Sequence, residues 1–247
     1  MLKKLFKNYI YPIATLSGSI IGVGFLSLPY ITLKVGIMPM LFYFLVLTML
    51  IVFLHVIFGQ ISLKTPDYKR WPGFIGFYLG KGAKRIILVL MTFGSFGVLL
   101  VYLIIGSQFL TAIFNPLFGG DSLIYVLVYF IFASTFIYFG TKAISKIDFL
   151  ALTLLLVILL IILVKGFAHI KIENIFIPPA GGFSDWKTMF LPYGAIMFSL
   201  WGVGLIPEVE EMVIKNKKSL KKVIILGTLV PAIFYLLFIF LIIGITG

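Results

Sequence analysis

The groups best suited to do chemistry in this chain belong to its backbone. Two apolar stretches, GSIIGVGFLSLPY (Gly18 to Tyr30) and FSLWGVGLIPEVEEM (Phe198 to Met212), each carry a Gly-Val-Gly triplet followed by a proline. Gly22, Val23 and Gly24 precede Pro29, and Gly202, Val203 and Gly204 precede Pro207. Glycine loosens a helix and proline interrupts one, so both stretches are expected to unwind locally. Unwound backbone inside an apolar segment offers free N–H and C=O groups to a polar ligand where little water competes. Gly18 and Gly22 also form a GxxxG pair, which taken alone would serve close packing of two membrane helices. A packing motif, however, has no need to recur far along the chain.

Side chains add less. With no cysteine, disulfide, thiolate-metal and thiol-nucleophile chemistry are excluded. No HExxH, no serine nucleophile elbow and no metal-ligand cluster is present, so an enzyme has no support. His55, deep in an apolar run, reads first as a neutral imidazole hydrogen-bonded to a neighbouring helix and second as a proton relay. Glu208, Glu210 and Glu211 stand beside Lys215, Lys217, Lys218, Lys221 and Lys222, the pattern of an ion-pair network at a helix end. Glu208 directly follows Pro207 and is the candidate gating residue.

The elements that must position these groups follow from composition. The 247 residues are 62% hydrophobic and 11% charged, with a mean hydropathy of +1.19. A water-soluble domain of this size could not hide that much apolar surface, so the chain is expected to be an all-α integral membrane protein surrounded by lipid. Apolar runs define seven expected spans: Tyr9 to Leu33, Ile37 to Leu63, Ile86 to Phe114, Ser122 to Gly140, Ile147 to Val164, Met189 to Ile214, and Val223 to the C-terminus. The two triplets fall near the middle of spans one and six. The net charge of +12 does not mark a nucleic-acid surface, because 16 of the 20 Lys and Arg lie in alternate connections on one side. That bias places the N-terminus in the cytoplasm. It also argues against seven-span receptors and retinal proteins, whose N-terminus lies outside, and span seven offers no lysine for a Schiff base. No filter motif of a channel is present.

The first-span stretch, the basic segment RWPGFIGFYLGKGAKR (Arg70 to Arg85), LPYGAIMFSLWG (Leu191 to Gly202) and IPEVEEMV (Ile206 to Val213) together resemble the amino acid/polyamine/organocation superfamily. Within it they are most similar to the amino acid permeases that include tryptophan/tyrosine permeases and amino acid/auxin permeases. The resemblance implies a LeuT-type fold of two inverted five-helix repeats, here residues 1–167 and the start of the second repeat at 168–247. It implies a secondary transporter, a symporter for amino acids in the plasma membrane, with substrate at the broken midpoints of helices one and six. Amides of Gly22, Val23 and Gly24 would receive the substrate carboxylate, as suits free N–H groups at the positive end of a half-helix starting near Phe25. Carbonyls of Ser19, Ile20, Phe198 and Ser199 would accept from its ammonium. Gly202 is also expected to contact the substrate; Trp201, beside it, resembles the aromatic residue lining the pocket, and Tyr102 in span three one that faces the substrate. If sodium is the coupling ion, the carbonyls of Gly18 and Ile21 match a shared cation site; a proton is the alternative, and no other cofactor is implied.

Relatives have ten or more core spans, so the chain is expected to be an N-terminal piece of a permease whose C-terminal helices are missing, or else a seven-span protein working as a homodimer. A non-transporting fragment or regulatory half-protein of the same fold is the competing reading. The lack of mid-span charge, together with Phe198, Leu200, Trp201 and Tyr102, points to a neutral, apolar or aromatic substrate, since an unpaired buried charge would cost several kcal/mol.

Overall fold

A computed structural model describes residues 6–66, 70–138, 141–176, 178, 186–213 and 218–246. Lys3, Lys4, Lys69, Gly140, Ile214, Lys215 and Lys217, used above for span limits and charge, lie outside the described residues. All regular structure among the described residues is helical. The main helices are α1 (Tyr11–Ile20), α2 (Leu28–Val35), α3 (Ile37–Lys64), α4 (Trp71–Phe118), α5 (Ser122–Tyr138), α6 (Thr141–Gly166), α7 (Leu191–Leu200), α8 (Ile206–Met212) and α9 (Leu220–Thr246).

Proline decides where four of these begin. Pro12, Pro29, Pro192 and Pro207 each occupy the first or second position of α1, α2, α7 and α8. There the missing N–H would have had no partner, so proline is tolerated at a helix start and resists being passed through. Span one is therefore divided into α1, a 3₁₀ turn over Val23–Ser27 and α2, and span six into α7, a 3₁₀ turn over Val203–Leu205 and α8. By length and composition α3, α4 and α9 can each cross a membrane, and the two halves of span one, bent by 51°, qualify together. Ser122–Thr135 and Thr153–His169 are shorter apolar helices. α4 is longer than the third apolar run because it begins at Trp71 and turns at Gly80 (φ 86°, ψ 176°), a conformation open to glycine.

Two compact units are present, Ile75–Val157 in one and Met1–Phe74 with Ile158–Gly247 in the other. The second unit holds both broken spans. At its centre α9 packs against α1, α2 and α3, while α7 and α8 pack against α3. Leu16, Leu28, Met40, Ile51, Ile196, Leu200, Ile224 and Tyr235 are fully buried there. Phe25, from the first 3₁₀ turn, stacks on Tyr235 (centroids 5.3 Å apart, 14° between planes) and meets Phe238 edge-on at 4.9 Å. Ser17 Oγ donates to the Gly227 carbonyl at 3.0 Å, which fixes α1 to α9 within a half whose lipid-like surroundings offer no hydrophobic driving force between helices.

Candidate functional site

Both spans leave the helix through the same backbone geometry. Ile21 ends α1 at φ −71°, ψ 96°, and Trp201 ends α7 at φ −75°, ψ 106°. A glycine follows each: Gly22 is extended (φ −132°, ψ −168°), whereas Gly202 has φ −125°, ψ 14°. The Ile21 amide still reaches the Ser17 carbonyl at 2.9 Å, and the Trp201 amide reaches the Phe198 carbonyl at 3.4 Å. Carbonyls of the last helical turn thus lose their regular donors, as at any helix end.

The breaks lie against one another. A Cβ placed on Gly202 would stand 2.5 Å from Ile20 Cγ1, and one on Gly24 would stand 3.0 Å from both Phe198 Cδ1 and Ser199 Oγ. Only glycine lets the second triplet approach α1 this closely. Tyr235, fully buried on α9, then joins the two: its hydroxyl donates to the Ile20 carbonyl at 2.8 Å and lies 3.2 Å from the Ser199 carbonyl as a bifurcated donor. The aromatic ring of Tyr235 is held in turn by Phe25, so the hydroxyl is set from two sides.

The sequence-predicted residues fall into place as follows. Gly18, Ser19 and Ile20 form the last turn of α1; Ser19 Oγ donates to the Leu16 carbonyl at 2.9 Å. Gly22 is the residue before the first 3₁₀ turn, Val23 and Gly24 open it, and no side chain caps its amides. That turn runs to Ser27 before α2 starts, so the α-helical half begins three residues later than the position near Phe25 read from the sequence. Phe198 and Ser199 belong to the last turn of α7, and Ser199 Oγ donates to the Ala195 carbonyl at 2.7 Å. Trp201 is 46% exposed, with its ring edge-on to His55 at 6.1 Å. Tyr102 lies on α4 in the other compact unit. Glu208 pairs with Arg70 at 3.6 Å and Glu211 does so at 3.5 Å, whereas Glu210 turns inward, buried, to receive the Ser62 hydroxyl.

Two participants were missed or undervalued in the sequence. Tyr235 was unremarkable among 12 tyrosines. His55 Nε2 accepts the Gly202 amide at 3.3 Å while its Nδ1 lies 3.0 Å from Thr228 Oγ1, which bears out the reading of an imidazole bonded to neighbouring helices. A signal did exist: a buried histidine inside a membrane must find partners, and backbone freed at a break is one. The cluster places the glycine amides of the first 3₁₀ turn near the carbonyl ends of α1 and α7, where the Ile20 and Ser199 carbonyls already accept from Tyr235 and the Phe198 carbonyl from the Trp201 amide.

Comparison with known proteins gives the chain a family. The profile of the tryptophan/tyrosine permease family matches residues 7–246. Curated relatives include "Glutamine transporter 2" of Aliivibrio fischeri, 25% identical over 93% of this chain and 59% of its own length. Another is "Tyrosine-specific transport system 1" of Haemophilus influenzae, 23% identical over 90% of this chain and 54% of its own. The chain spans somewhat more than half the length of these relatives, which are transporters and not enzymes. No solved structure matches it. A helical integral membrane protein whose two interrupted spans meet at glycine triplets, with a family match over nearly all of its length, belongs to the tryptophan/tyrosine permease family.

Proposed function

We propose that the chain provides the substrate-binding breaks of a secondary transporter for neutral or aromatic amino acids, driven by a proton or sodium gradient across the plasma membrane, with its N-terminus in the cytoplasm. The observation that carries this reading is the meeting of the two breaks, held together by Tyr235. In the proposed pose the carboxylate lies at the uncapped amides of Gly22, Val23 and Gly24, and the ammonium at carbonyls of Ser19, Ile20, Phe198 and Ser199. Trp201 lines the pocket. Two inverted repeats of LeuT type account for the matched breaks in spans one and six, and Gly18 and Ile21 supply the cation site if sodium is used. Glu208, through Arg70, closes the cytoplasmic end. The relatives named for glutamine and tyrosine carry neutral amino acids, in keeping with the absence of mid-span charge.

The test is uptake of labelled tryptophan, tyrosine and glutamine into liposomes containing the chain, under an imposed proton or sodium gradient. Gradient-driven uptake that neutral amino acids inhibit is the expected result. Stronger competition by lysine or glutamate overturns the substrate class. Binding without uptake favours the non-transporting or regulatory half-protein, and neither binding nor uptake overturns the reading.

A further inference from the structure

The hydrogen bonds around His55 run in one direction. Thr228 Oγ1 donates to the Ile224 carbonyl at 2.9 Å, so its lone pairs are left for the imidazole, and Nδ1 carries the proton donated to it. Nε2, facing the Gly202 N–H at 3.3 Å, must then be bare. A doubly protonated imidazole would turn an N–H toward an N–H. The residue is fully buried, so neither donor would have water to turn to.

We propose that His55 is a proton-binding site in direct competition with the Gly202 amide: the proton and the clamped helix-six break occupy the same lone pair, so binding one releases the other. The proton is then linked to the shape of the break by ordinary reciprocal coupling. The inference rests on the reading of the break as part of the ligand site for its consequence, but its chemistry needs no ligand. Titratable groups on the surrounding helices stand well away along the chain. On α9, Lys221 and Lys222 precede Thr228, and Tyr235 follows it, by about two turns. On α3, Lys64 follows His55 by more than about two turns and Tyr43 precedes it by about three. Glu210 of α8 is held by Ser62, about two turns beyond His55, while Glu208 and Glu211 face Arg70. Tyr193 sits in the first turn of α7 and Tyr11 in that of α1. None of these groups bridges His55 and Gly202, so the competition is decided at the imidazole.

The test is hydrogen–deuterium exchange of the 201–205 segment in lipid nanodiscs, corrected for the intrinsic pH dependence of exchange. Proton uptake by the imidazole removes the acceptor for the Gly202 amide, so lowering the pH from 7.5 to 5.5 should raise exchange across the segment. The chain should show that rise, and His55→Gln, which keeps an acceptor for Gly202 but cannot take up the proton, should show none. Exchange in the unmodified chain that does not change with pH, or an equal rise in His55→Gln, overturns the proposal. A second measurement does not depend on the variant folding. The chain has two histidines, so ¹⁵N-histidine labelling, with His169→Gln for assignment, resolves the His55 ring. A protonated Nδ1 and a bare Nε2 at pH 7.5 are expected; a proton on Nε2 overturns it. Because no amino acid is added, these outcomes are separate from success or failure of the uptake assay.

Discussion

The two breaks depart from the helix with nearly the same dihedral angles and then diverge. Neither 3₁₀ turn has a side-chain cap at its glycine N-cap, but at the first Gly22 and Gly24 are half-buried. At the second, Gly202 is buried, its amide is taken by His55, and α1 lies where a side chain would be. One sequence motif therefore serves two purposes. The second break gives its Gly202 N–H to His55, whereas the first is the one proposed to receive an anion. That difference is in keeping with the carboxylate site proposed at Gly22–Gly24, which the family resemblance implies.

The contrast can be broken most severely at Gly202. Gly202→Val would press against Ile20 and should destabilise the chain by about 2–3 kcal/mol, the upper range for overpacking, seen as a lower unfolding midpoint in detergent. Tyr235→Phe is expected to cost about 1–2 kcal/mol, because the buried Ile20 and Ser199 carbonyls lose their shared donor; fluorescence-monitored denaturant unfolding reads this directly. Gly24→Ala meets only side-chain atoms of Phe198 and Ser199, which can turn aside, so its cost should stay below about 1 kcal/mol. A larger loss at Gly24 than at Gly202 would reverse the assignment of roles. Smallest of all, Arg70→Ala removes ion pairs whose side chains are 43–54% exposed, and should change stability by less than about 0.5 kcal/mol while making it less sensitive to salt.

The breaks were legible in the sequence because their causes are local. Gly-Val-Gly with proline a few residues on marks them without knowledge of any neighbour, and the long apolar run of α3 is equally plain. The partners were not legible, since Tyr235 and Thr228 reach Ile20 and His55 across more than 170 positions of chain. Their register depends on how α9 seats against α1 and α3, and apolar helices with almost no polar stripe do not announce which face turns inward. The three glutamates show the intermediate case. Grouped in sequence, they read as one network, but at about 100° per residue Glu208 and Glu211 share a face and Glu210 points elsewhere. Helical geometry alone could have separated Glu210; its bond to Ser62 could not have been foreseen.

The central claim is that the two breaks meet and enclose an amino acid. The chain has no cysteine, so Gly24→Cys with Ser199→Cys introduces a lone pair across the meeting point, where a Cβ at Gly24 stands 3.0 Å from Ser199 Oγ. The measurement is the rate of disulfide formation between them in membranes, with and without tryptophan, tyrosine or glutamine. The account predicts ready cross-linking that a neutral amino acid slows in a saturable way. Absence of cross-linking would contradict the apposition of the breaks, and cross-linking indifferent to every amino acid would contradict their role as its binding site.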